Sequence, residues 1–268
     1  MNSEMDFNTP WRRVAAAIYK KPVDSKIFGS VEMDVTDLEA FVSQKRKEGI
    51  KVTPTHLFTL IIARALKMEV PELNCYVKRG KIVHRDRIDA LVSVLQADGG
   101  MSSVSIPDAD RINVNELAKL LGSEIFRSRT GKENGSMQSK NLLSSIPWPF
   151  RKWVVRLYKT MTIDWGISVP FLGLDSNSFG SFLVTNIGTL GLDYGYPALL
   201  PVSNVSFVFV LGGTTKKPVV VNDEIIARRM MSLSIVLDHR LVDASHGGRL
   251  LRFIKYMVKN PQELDVQS

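Results

Sequence analysis

In SLSIVLDHRLVDASHGG (Ser232 to Gly248) an apolar run ends abruptly in Asp238, His239 and Arg240, and a second carboxylate, Asp243, follows the histidine by four residues. Imidazole titrates near pH ~6.5, so a histidine can take and return a proton at neutral pH. Base work of this kind requires one tautomer and one orientation. Asp243 could supply that order by pairing with a cation. The same residues also have a structural reading: Asp243 stands where a last helix should begin, as an ordinary N-cap, and His239 is a hydrogen-bonded framework histidine. Spacing alone leaves both open.

The elements around the stretch decide where these groups would sit. Leu233, Ile235 and Leu237 alternate with Ser232, Ser234 and Asp238, the pattern of a half-buried strand, which places His239 at the strand's exit. Upstream, NVSFVFVLGG is a continuous apolar strand typical of a sheet centre, and PVVVNDEIIARRMMSLSIVL predicts a hairpin around Asn222-Asp223. SFGSFLVTNIG predicts a strand ending in a Gly turn, KIFGSVEMDV a strand with one buried face, and RIDALVSVLQ another strand. Helices are expected after Thr36 as N-cap, from Thr53-Pro54 through TPTHLFTLIIARALKM, over VNELAKLLGSEIFRSR, and from Arg249 to Lys259. Strands and helices interleave throughout, so residues 1–268 read as a single α/β domain, an α+β two-layer sandwich with a mixed sheet covered by helices.

Composition removes several classes of function. Cys75 is the only cysteine, which excludes a disulfide framework; it reads as a small buried residue. No apolar run approaches the ~18 residues that span a bilayer. The opening MNSEMDFNTPWRR is too polar for a secretory signal, and a cytoplasmic location is expected. The net charge of +8 favours anionic partners, but zinc spacing and aromatic-and-basic RNA motifs are missing, so nucleic acid is not expected. His56, His84 and His246 form no metal pattern with neighbouring carboxylates and read as structural or exposed.

DHRLVDA resembles the DHRxxDG signature of the acyltransferase catalytic domain of 2-oxo acid dehydrogenase complexes, which shares its fold with chloramphenicol acetyltransferase. PWRRVAAAIYKK, EVPELN, PDADRINVNELAK, FLVTNIGTLG and NPQEL are similar to further motifs of that family, in the family's order. The matches cover nearly the whole chain except about residues 131–178. The resemblance implies that His239 is the general base that takes the proton from the thiol of coenzyme A. It implies that Thr185, at the family's serine position, donates a hydrogen bond to the tetrahedral oxyanion, and that Asp243 ties down the histidine loop through an N-terminal arginine, which Arg12 matches. It also implies a chloramphenicol-acetyltransferase-like fold, a homotrimer or a larger assembly of trimers with the active site between subunits, and acyl-coenzyme A as acyl carrier. No lipoyl attachment is expected in this chain, so a lipoyl acceptor would belong to a separate lipoyl-bearing protein; a small-molecule acceptor is the other option.

The chain departs from the family at three places. Ala244 replaces a glycine, Val104 stands where a proline is usual, and ALLPVSNVSF replaces an Asn-Pro-Pro segment near the substrate channel. These departures motivate a second reading of function, a trimeric core without catalysis that serves assembly or binding. The polar stretch at 131–145 reads as a surface loop. After it comes PFRKWVVRLYKTM, a basic amphipathic helix. With Trp148, Phe150 and Trp153, the segment at 148–161 has three open readings: a helix packed on its own domain or a neighbour, a cover for the channel mouth, or a contact with an anionic membrane surface.

Overall fold

Short runs of β-branched and aromatic residues make the sheet of this molecule, and runs with helical period make the layer laid across it. The computed structural model describes residues 24–95, 101–129, 146–147, 150–167, 179–199 and 203–265, with the backbone alone at 101 and 124–129. In chain order the elements are β1 (Lys26–Asp34), α1 (Thr36–Lys47), α2 (Pro54–Met68), β2 (Cys75–Lys78), β3 (Lys81–His84), β4 (Ala90–Leu95) and β5 (Met101–Ile106). Then follow α3 (Val114–Arg129), α4 (Phe150–Tyr158), β6 (Phe182–Asn186), β7 (Phe207–Val221), β8 (Glu224–Asp238) and α5 (Ala244–Lys259).

Six strands form one sheet in the order β1-β8-β7-β6-β4-β5, and β2 and β3 form a separate hairpin. β6 runs parallel to β4 and to β7, and the remaining pairs are antiparallel. The mixed sheet and helical layer are those expected from the sequence. Helix α2 is the centre of the core: every residue from His56 to Leu66 is buried, and Phe58 stacks on Phe209 of β7 at 5.8 Å between ring centroids. Helix α3 opens with a reciprocal cap, in which Asn113 Oδ1 accepts from the Glu116 N–H (2.9 Å) and Glu116 Oε2 accepts from the Asn113 N–H (3.0 Å).

Two polar residues inside α2 have specific partners. The Arg64 guanidinium donates to the carbonyls of Glu263 (2.8 Å) and Leu264 (2.9 Å), which fastens the chain's last described turn to the core. His56 lies with Nδ1 2.6 Å from Thr53 Oγ1. Burial, with a smaller push from Arg46, lowers its pKa to about 4. The unfolded chain therefore takes up this proton first. The contribution of neutral His56 to stability is complete above pH ~6.5 and is lost as pH falls through the folded value, a swing of about 3 kcal/mol. Urea unfolding at several pH values should show a steep loss of stability over this window in the wild type and a flatter profile in His56→Gln; parallel profiles would show that another group dominates.

Several expectations need correction. Val35, not Thr36, is the N-cap of α1. Thr36 is the first helical residue, and its hydroxyl donates to Asp34 Oδ1 (2.6 Å) and accepts from the Arg229 N–H (3.0 Å), which ties the end of β1 to β8. β8 is not half-buried: Met231–Asp238 is buried on both faces. The last helix begins at Ala244 rather than Arg249. Gly247 and Gly248 have poor helix propensity and hide its start, but the capping contacts at Asp243 described below outweigh them. The basic helix ends at Tyr158 and gives way to a π-helical turn over Lys159–Asp164, and none of its side chains is fully buried.

Candidate active site

β8 ends in a turn that projects His239 from the sheet. Asp238 is 4% exposed, and enclosing a carboxylate is costly unless a cation and hydrogen bonds meet it. Arg240 supplies both. Its Nε lies 3.0 Å from each carboxylate oxygen, its Nη2 2.6 Å from Oδ2, and its backbone N–H donates to Oδ1 at 3.0 Å. The carboxylate in turn raises the pKa of the Arg240 guanidinium. Ser25 closes the turn from β1: its hydroxyl donates to Asp238 Oδ1 (3.4 Å), and its carbonyl accepts from the His239 N–H (2.6 Å). The Leu241 and Val242 N–H groups return to the Asp238 carbonyl at 3.0 and 3.3 Å. The backbone beneath the imidazole is held from both sides.

The ring itself has one fixed nitrogen. His239 Nδ1 lies 2.9 Å from the Val242 carbonyl oxygen. A carbonyl only accepts, so Nδ1 carries a proton, and in the neutral ring Nε2 is the nitrogen with the free lone pair. The same Nδ1 lies 3.3 Å from Asp243 Oδ1, with the two side chains 54% and 72% exposed. Asp243 is also the N-cap of α5, and its N–H donates to His246 Nδ1 at 3.0 Å. Glu72 approaches this helix start, 2.6 Å from Arg249 Nη2 and 3.8 Å from His246 Nε2. Ala244 is the first helical residue and is not among the residues with positive φ, so its methyl meets no backbone penalty.

Thr185 lies on β6 and is 8% exposed. Val184 points into the core beneath the helices, so alternation puts Thr185 on the opposite face of the sheet. Asn186, beside it, donates to Thr55 Oγ1 at 3.2 Å. The turn that follows runs hard against β7 at its bulge. A Cβ added to Gly188 would stand 2.4 Å from the Gly212 carbonyl oxygen, and one added to Gly212 would stand 1.7 Å from that of Asp193. Only glycine permits this approach.

Thr185 and His239 do not meet within one chain. Thr185 shares a row with Val210 and Ser234, so His239 lies five positions further along and two strands across. At ~3.3 Å per residue and ~4.8 Å per strand, the two are roughly 19 Å apart. Arg12, the expected partner of Asp243, lies outside the described residues, as do 131–145, Trp148 and the 200–202 part of ALLPVSNVSF. Asn204, in the described part of that segment, accepts from the buried Arg85 guanidinium. Arg85 also donates to the Cys75 carbonyl (2.7 Å), and burial pushes its pKa down to about 10. Cys75 is buried and its thiol pKa is raised, as a small core residue's should be. His84 is exposed on β3. Among the described residues no cluster of His, Cys, Asp or Glu could hold a metal ion.

Reasoning from the sequence missed Asp238 and Arg240 as the pair that fixes the turn, and Ser25 as its third member. Opposite charges flanking the histidine were the available signal. Arg240→Gln should cost about 1–3 kcal/mol, because it strands an enclosed carboxylate. It should also lower turnover more than it raises KM, because the base loses its fixed turn. Urea melts and steady-state kinetics would check this, and unchanged kinetics would reduce the pair to a structural role.

Residues 172–266, which include Thr185, His239 and Asp243, match the family model described as 2-oxoacid dehydrogenases acyltransferase (catalytic domain). Over 238 residues, 87% of this chain, the sequence is 25% identical to the dihydrolipoyllysine-residue succinyltransferase component of the mitochondrial 2-oxoglutarate dehydrogenase complex of Saccharomyces cerevisiae, covering 42% of that protein. The fold is similar to that of a probable dihydrolipoamide acetyltransferase from Listeria monocytogenes, with a TM-score of 0.66 and 21% identity over 97% of this chain and 95% of that one. It is also similar to the cubic core of the pyruvate dehydrogenase multienzyme complex, with a TM-score of 0.65 and 17% identity over 90% and 84% of the two chains. The chain spans less than half the length of the first curated relatives it matches. It resembles the acyltransferase catalytic domain of 2-oxo acid dehydrogenase complexes, and its fold is that of those cores.

Proposed function

We propose that this chain, folded as such a core, moves an acyl group between coenzyme A and a lipoyl thiol or small-molecule acceptor, with His239 as general base. The observation that carries the reading is the bond from His239 Nδ1 to the Val242 carbonyl, which makes Nε2 the basic nitrogen of the neutral ring, on a half-exposed side chain. Nε2 takes the proton from the coenzyme A thiol, and the thiolate sulfur attacks the carbonyl carbon of the acyl thioester. The carbonyl electrons move to oxygen, where the Thr185 hydroxyl donates a hydrogen bond to the oxyanion. Collapse re-forms the carbonyl and breaks the bond to the departing thiolate, which receives the proton held on Nε2. While His239 is an imidazolium, the Asp243 carboxylate 3.3 Å from Nδ1 opposes its charge.

The hydroxyl comes from a neighbouring chain in this mechanism, because one protomer keeps Thr185 roughly 19 Å from His239. A homotrimer, or a larger assembly of trimers, completes the site. Exposed apolar side chains in the segment that follows β6 support such a contact: Leu190 and Leu192 are each 51% exposed, and Tyr196, 47% exposed, packs edge-on against Phe28 of β1. Among the described residues the outer half of the β7–β8 hairpin pairs only with itself, and Ile225 is 76% exposed.

Ala244 was one motive for a core without catalysis, and its place as the first helical residue weakens that motive. The deciding experiment measures acyl transfer between acyl-coenzyme A and dihydrolipoamide, then to a panel of amines and alcohols. Turnover of at least one acceptor is expected. Coenzyme A binding without turnover of any acceptor would overturn the reading in favour of a non-catalytic assembly protein.

A further inference from the structure

Helix α4 turns its apolar side outward. Phe150, Trp153 and Leu157 are 63%, 68% and 61% exposed, and at ~100° per residue they form one stripe. The half-buried Val155 and Tyr158 lie on another side of the helix, so among the described residues the stripe is not the face that rests on the protein. Lys152 and Arg156 flank it, and no acidic residue occurs between Glu133 and Asp164. The tip of the β2–β3 hairpin is fastened beside this helix: the Arg79 N–H donates to the Asp164 carbonyl (3.0 Å) and Arg79 Nε to that of Trp165 (3.0 Å). The hairpin brings Lys78 and Lys81 to the same region, along with Ile82, which is 58% exposed.

From this we infer a docking surface for an anionic lipid bilayer, formed by α4 and the β2–β3 tip. Aromatic and aliphatic side chains in a stripe enter the acyl boundary, while the flanking Lys and Arg meet lipid phosphates. Charge complementarity selects this occupant. A second copy packed symmetrically on the stripe would bring like basic residues together from a chain of net charge +8. Among the described residues no helix is long and apolar enough to cross a membrane, so the contact is interfacial.

Vesicle flotation of the full chain tests this, with phosphatidylcholine alone and with phosphatidylglycerol added. The wild type should float only with the anionic vesicles and be released by salt. Trp153→Glu should abolish flotation, and Lys152→Gln combined with Arg156→Gln should weaken it on the order of 30-fold. Circular dichroism and the acyl-transfer assay serve as folding controls, since the changed side chains are exposed. Absence of flotation, equal flotation with neutral vesicles, or unchanged flotation of the variants would overturn the proposal. A lower assembly mass for Trp153→Glu by light scattering would overturn it too, by assigning the stripe to a contact between copies.

Discussion

Replacing His239 with alanine should slow acyl transfer by about 10²–10⁴-fold and leave the fold intact. The ring is 54% exposed, and the turn beneath it is held by Asp238, Arg240 and Ser25 rather than by the imidazole. The side chain's own hydrogen bond, to Val242, is local. Its loss should cost no more than about 1 kcal/mol of stability. Kinetics with acyl-coenzyme A and dihydrolipoamide, set beside a urea melt, would separate the two effects. Equal rates in wild type and variant would remove His239 from the mechanism, whereas a large fall in stability would show that the turn depends on the ring after all.

The second large effect concerns assemblies that mix two defective chains. Thr185→Val keeps the shape of the buried side chain and removes the hydroxyl, so turnover should fall by about 10²–10³-fold, and Thr185→Ser should recover most of it. Chains with His239→Ala are defective for a different reason. When the two variants are refolded or expressed together, some interfaces place an intact His239 from one chain beside an intact Thr185 from the next. With random mixing in equal amounts, about one site in four should regain activity. The expectation follows from the pairing rows of β6, β7 and β8, which hold the two residues apart within a chain. Mixtures no more active than either parent would place both groups in one protomer's site or remove Thr185 from the chemistry.

Local chemistry decided much of this molecule. Period-two alternation, Pro54 at a helix start and the Asn222-Asp223 turn, both of whose residues adopt positive φ, fixed strands, helices and hairpin without help from distant residues. The exit of β8 was legible in the same way, because an apolar run can end in Asp-His-Arg only where the chain leaves the core. The resemblance added the order of the motifs and hence the layers. The tertiary structure decided everything that depends on partners far along the chain. Asp238 is sealed by Arg240 nearby and by Ser25, 213 positions away, and no local pattern announces the second. β8 is buried on both faces from Met231 to Asp238, its serines included, whereas alternation by itself suggested an open side. The tautomer of His239 depends on which carbonyl its ring reaches, and the gap between His239 and Thr185 on how parallel and antiparallel pairings add across two strands. The outward turn of the α4 stripe belongs here as well: amphipathicity marks a face to be covered, and only packing shows that the described residues leave it exposed.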